Sequence, residues 1–94
     1  MEILNEREKT HGDFAQVAHI ASETRKLVMG NYRYSDVQCE AVTMIATKLA
    51  RIACGDPNVR DHWEDIAGYA QLVVRDLRRR EIADMADDVL RRTP

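Results

Sequence analysis

Apolar residues recur at helical spacing through most of this chain. From Phe14, the positions Phe14, Val17, Ala18, Ala21, Thr24, Leu27 and Val28 share one helical face, with Gln16, Glu23 and Arg25 on the others. Gly30-Asn31 ends that stretch in the manner of a left-handed cap. Ser35-Asp36-Val37-Gln38 has the form of a capping box and opens the next helix, whose stripe is Val37, Ala41, Met44, Ile45, Leu49 and Ile52. Gly55 closes it, Asp56-Pro57-Asn58 makes a turn, and Asn58 is positioned to cap a further helix. There Trp63, Ile66, Ala67, Ala70, Val73, Val74 and Leu77 keep the period. Nothing breaks the helix after Leu77, so Ile82, Met85, Ala86, Val89 and Leu90 continue it. Ahead of all this, residues 2 to 9 form a short charged helix gripped by Ile3 and Leu4, and Thr10-His11-Gly12-Asp13 breaks it.

The expected fold is therefore all-α: a small helical bundle built on an antiparallel helical hairpin, 36–54 against 59–77, with a short amino-terminal helix. The 94 residues make a single domain. Its expected core is Phe14, Val17, Leu27, Ile45, Leu49, Trp63, Ile66, Val73 and Leu77. The glycine at position 68 interrupts a good helix, which points to a close backbone approach by a neighbour. A helix running from the turn to the end is longer than so small a bundle needs. Its second half is expected to pack on the amino-terminal helix or on another subunit, so a homo-oligomer is expected.

Composition narrows the classes. With 45% hydrophobic residues and a net charge of −2, this is neither a disordered tail nor a blanket binder of nucleic-acid polymers. No apolar run approaches the roughly 20 residues that span a membrane. The opening MEILNEREK lacks the apolar core of a secretory signal, so a cytoplasmic location is expected. Cys39 and Cys54 lie on one helix about four turns apart and are expected to be reduced thiols.

The hairpin also concentrates charge. If its arms fold about a turn near Asp56 and Pro57, Lys48 falls opposite Asp65, Arg51 opposite Asp61 and His62, and Met44 opposite Tyr69. Lys48 and Arg51 share a helix face, as do Asp61 and Asp65. One reading is a salt-bridge cluster that sets the hairpin register. A second is an anion site in which the carboxylates orient Lys48 and Arg51 towards a phosphate. A third is a divalent-metal site from Asp61, Glu64 and Asp65, which needs more convergent oxygens than the turn offers. His11 and Asp13 can approach from the Gly12 corner, and Tyr69, Tyr32 or Tyr34 can stack on a base.

The segments T-H-G-D-F, K-L-A-R-I with G-D-P-N, and D-H-W-E-D-I-A-G-Y-A resemble an uncharacterised domain family of small phage and prophage proteins, over roughly Glu6 to Val74. That resemblance implies a phage accessory protein at work in the host cytoplasm. The chain is also similar to all-α MazG-like nucleotide pyrophosphohydrolases, in which a basic helix meets an acidic D-x-x-x-Y helix. Those enzymes hold magnesium with Glu-x-x-Glu on one helix and Glu-x-x-Asp on the next. Here Asp61, Glu64 and Asp65 stand for one half, while the facing helix offers Lys48 and Arg51, and Asp36 and Glu40 lie at the far end. In size, helicity and origin the chain resembles the phage anti-CBASS and anti-Thoeris sponges. The expected function is thus sequestration of a phosphate-bearing nucleotide, with a host immune signal as the ligand that the resemblance implies. The expected ligand residues are Lys48, Arg51, His11, Asp13, Asp61, His62, Asp65 and Tyr69, with no catalytic residue, no metal ligand and no cofactor. A magnesium-dependent pyrophosphohydrolase and a protein-interaction module are the alternatives.

Overall fold

The computed structural model describes residues 2–92, and side chains from Asn5 onward. Four helices follow one another: α1 (Glu2–His11), α2 (Phe14–Met29), α3 (Asp36–Cys54) and α4 (Arg60–Arg92). The described residues contain no strand, and no helix among them is long and apolar enough to cross a membrane. The expected grip of Ile3 and Leu4 lies outside the described side chains.

Local sequence accounts for the helix limits. Asp13 caps α2, its carboxylate accepting from the Gln16 amide at 3.2 Å. Gly30, at φ 43°, closes that helix with its amide on the Lys26 carbonyl. Ser35 and Gln38 form the reciprocal capping box at the start of α3, at 3.2 and 2.9 Å. The turn before α4 departs from expectation. Asn58 does not cap the helix; its amide is bound by the Asp56 carboxylate at 2.8 Å, and α4 begins at Arg60. An aspartate holds such a turn by accepting from the amide two residues on, without engaging the helix's own first amides.

The third helix is the centre of the molecule. It packs against α2 on one side and α4 on the other, and α1 lies across the α2–α3 corner. The fold is the expected small all-α bundle on the α3–α4 hairpin; because no contact joins α2 to α4, its three long helices lie in one layer. This layer explains why the core differs from the expected one. Val17 is buried as expected, but its companions are Ala21, Ala41, Ala46 and Ala50. Alanines at the contact lines let the helices approach closely, and bulkier side chains fall to the flanks. Ile45, Ile66 and Val73 are half-buried. Phe14 and Leu27 are 82% and 84% exposed, Trp63 is 50% exposed, and Leu49 and Leu77 are also exposed. Helical period identified an apolar side of each helix; with no fourth helix over the layer, that side is only partly covered.

Gly68 also departs from its reading, because a Cβ there would meet nothing within 4 Å. The second half of α4 does not return to α1. At about 50 Å, α4 far outruns α3 at about 28 Å. Residues 78–92 are exposed throughout. The molecule measures 70 × 28 × 18 Å, with a radius of gyration of 18.2 Å against about 12 Å for a compact chain of this length.

Candidate functional site

The end of α1, the start of α2, the end of α3 and the start of α4 meet at one corner. Two glycines permit the meeting. Gly12, at φ 83°, sets its backbone on Cys54, and Gly55 sits directly on the Thr10 carbonyl. That carbonyl is the junction's acceptor: the Asp56 amide donates to it at 3.2 Å, and the His62 Nε2–H at 3.0 Å. His62 is 2% exposed. A carbonyl oxygen only accepts, so this contact assigns the His62 proton to Nε2.

The second histidine follows by the same accounting. The Thr10 hydroxyl donates its one proton to the Arg7 carbonyl at 3.1 Å. Its contact with His11 Nδ1 at 2.6 Å is therefore donated by the ring, which leaves the lone pair of the neutral imidazole on Nε2. The two imidazoles meet edge to face, centroids 4.8 Å apart. Burial pushes the His11 pKa below its ordinary value, and the nearby basic side chains of Arg7, His62, Arg51 and Lys48 add to the effect. Lys48 and Asp65 pair at 2.8 Å, the facing expected of the hairpin. The lysine's hydrogen bond holds the Asp65 carboxyl below the usual carboxylate range.

Beside this junction lies a pocket of about 280 Å³, lined among others by Arg7, Glu8, His11, Phe14 and Arg51. Neither Arg7 nor Arg51 forms an ion pair among the described residues. Two free guanidinium groups and an imidazole thus share one concave surface, with the exposed Phe14 ring on it and Glu8 adding a carboxylate.

Of the residues expected to bind ligand, His11, His62, Lys48, Arg51 and Asp65 come together here. His62 is a buried tether, and Lys48 is engaged by Asp65. Asp13 is occupied in capping α2. Asp61 is exposed and joins no ion pair among the described residues. Tyr69 lines a separate groove with Asp36, Glu40 and Leu72. Tyr34 donates to the Val28 carbonyl at 2.8 Å at the opposite end of α3, and Tyr32 beside it is exposed. The length of α3 keeps both from a ligand at this corner. Asp61, Glu64 and Asp65 do not converge, since Glu64 turns to Arg60 at 3.5 Å and Asp65 to Lys48. Among the described residues no group of three or more His, Cys, Asp and Glu could hold a metal ion.

Sequence reasoning missed Arg7 and Phe14. The signal for Arg7 was available, because it lies four residues before His11 and so on the same helical face. The period of Phe14 points to the core, whereas as the first residue of α2 it stands beside the corner.

The depressed His11 pKa has a thermodynamic consequence. Below about pH 6.5 the unfolded chain protonates this ring before the folded one does. The contribution is complete above that pH and is lost as pH falls through the folded value. Melting temperatures recorded from about pH 7.5 to about 5.5 are expected to decline, and less steeply in His11→Gln. Equal slopes in the two proteins would remove His11 as the source.

In comparisons with known proteins, a family model described as "Domain of unknown function (DUF6378)" matches residues 1–76. No curated protein and no solved structure matches the chain. The matched span takes in the whole corner and ends close to where α4 passes beyond α3. The chain belongs to the DUF6378 family, a domain of unknown function.

Proposed function

We propose that this protein binds a small phosphate-bearing nucleotide at the α1–α4 corner and holds it without turning it over. The observation that carries the reading is the pocket in which Arg7 and Arg51, free of ion pairs among the described residues, stand beside His11 and Phe14. Guanidinium forks suit phosphate oxygens, and an exposed aromatic ring suits a base. A volume of about 280 Å³ suits a phosphate with part of a nucleoside, not a polymer. Lys48, already neutralised by Asp65, holds the register of the hairpin and contributes field more than contact. Carboxylates that face different cations favour holding over magnesium-dependent hydrolysis. In biological terms the protein is a small phage accessory factor that sequesters a host nucleotide signal in the cytoplasm, and it works as a homo-oligomer.

The test incubates the protein with nucleoside triphosphates, cyclic oligonucleotides and ADP-ribose derivatives, with and without magnesium. Calorimetry reads binding, and chromatography of the ligand after denaturing the protein reads turnover. Arg51→Ala and Arg7→Ala are each expected to weaken binding by about tenfold or more, and Lys48→Ala by less. Affinity should rise as pH falls towards 6, because an anion favours protonated His11. Magnesium-dependent release of pyrophosphate would establish the enzyme instead. Absence of any binding, with a protein recovered on the corner, would make it an interaction module.

A further inference from the structure

A second apolar seam runs along α4, one residue on from the positions that face α3. His62, Ile66, Tyr69 and Val73 turn towards α3 and are buried or half-buried. Trp63, Ala67, Ala70 and Val74 form the neighbouring line, all exposed, and helical drift carries it on to Ile82 and Met85. Ile82 is 66% and Met85 68% exposed. Arg78 interrupts the seam with a long aliphatic stem. Asp76–Arg80 and Asp87–Arg91 pair along the helix at 3.0 Å each on the side away from this line, whereas Glu81 and the Asp88–Arg92 pair, at 3.1 Å, border it.

The exposed area also asks for a cover. A compact chain of 10.8 kDa presents about 5,500 Å², whereas this one presents 7444 Å². The excess, about 1,900 Å², lies within the range of about 1,000–2,500 Å² that each subunit of an obligate homodimer buries. The seam is moreover complementary to itself. Its first half sets Ala67 and Ala70 between Trp63 and Val74, and its second half carries Ile82 and Met85. Antiparallel pairing centred at the level of Asp76 sets Ala70 against Ile82 of a second copy and Ala67 against Met85 of a second copy. Val74 then meets the stem of Arg78, and Trp63 meets the last turns of the opposite helix. A parallel pairing would stack bulk on bulk and alanine on alanine.

We propose that two copies of this chain form a two-fold dimer through antiparallel packing of α4 along the seam from Trp63 to Met85. The proposal deepens the oligomeric part of the functional reading and identifies its interface. Each overhang, residues 78–92, lies along the first half of the other copy's α4, and the two ligand corners stay apart and open. The dimer thus carries two sites on one elongated body.

The experiment uses the full chain. Light scattering at tens of micromolar is expected to return twice the 10.8 kDa chain mass. Ala70→Glu and Met85→Glu, both on exposed positions, should each raise the dimer dissociation constant at least about a hundredfold while circular dichroism keeps its helical form. The double variant Ala70→Cys with Ile82→Cys should form a covalent dimer on oxidation, and the unsubstituted chain, with Cys39 and Cys54, should not. Within one helix those two positions are about 18 Å apart, beyond disulfide reach. A chain-mass monomer would overturn both the interface and the oligomeric reading. An oligomer that survives both glutamates, or fails to cross-link, would leave that reading standing and overturn this interface. Ligand calorimetry on Ala70→Glu keeps the nucleotide reading separate, since neither seam residue touches the pocket.

Discussion

Replacing Gly12 with alanine is expected to lower the free energy of unfolding by about 3 kcal/mol. Two effects combine. At φ 83° any side chain strains the backbone, and a Cβ would press on the Cβ of Cys54 and lie 2.8 Å from its carbonyl carbon. Gly55→Ala is expected to cost a similar amount by contact alone. Its Cβ would press on the Thr10 carbonyl oxygen and lie 2.8 Å from the Gly12 amide nitrogen. Both obstructions include backbone of a packed neighbour, which cannot rotate aside as a side-chain tip can. Gly68→Ala is the internal control: it sits in an open stretch of α4 and should stabilise by about 0.5–1 kcal/mol. Urea unfolding followed by circular dichroism measures all three. If Gly12→Ala and Gly68→Ala shift the midpoint in the same direction, the close approach of α1 to α3 is wrong.

His62→Ala carries the second large expectation, a loss of about 2–4 kcal/mol. The ring is the bulkiest side chain buried to this degree, and it donates the hydrogen bond that ties α4 to the end of α1. Without it the Thr10 carbonyl keeps only the Asp56 amide, and the His11 ring loses its edge-to-face partner. Because Arg7 and His11 both ride on α1, affinity for the proposed nucleotide should fall although His62 does not line the pocket. Hydrogen exchange across residues 5–11 is the direct readout and should quicken far more than exchange in α3. His62→Gln, which keeps a donor, should recover part of the protection. A loss below about 1 kcal/mol with unchanged exchange would show that the tether does not hold α1.

The two expectations rest on different kinds of legibility. Gly12 was readable as a corner from the T-H-G-D tract alone, since a helix must break there for the next to be capped by Asp13. That the corner lies on Cys54 was not readable, because nothing near residue 12 refers to residue 54. His62 was readable as a first-turn helical residue facing Arg51. Its burial was not, because Trp63 beside it held the stronger hydrophobic claim. The indole instead donates to the Pro57 carbonyl at 2.7 Å and stays half outside, with a polar tip satisfied and an apolar face left over.

What the sequence by itself determined is what depends on near neighbours in the chain. The capping box at Ser35, the positive-φ Gly30 closing α2, the unbroken α4 and the Lys48–Asp65 facing all follow from hydrogen bonds or periodicities that close within a few residues or across one turn. Tertiary structure decided everything that depends on which helices are absent from a given side. With α3 between α2 and α4 and no contact joining those two, alanines became the core and Phe14, Leu27 and Trp63 were left in solvent. The same arrangement put the tyrosines of the 30–34 connector a full helix length from the histidine corner and brought Arg7 and Phe14 into it. Burial is a property of how many neighbours a residue acquires, and that number is not written at the residue's own position.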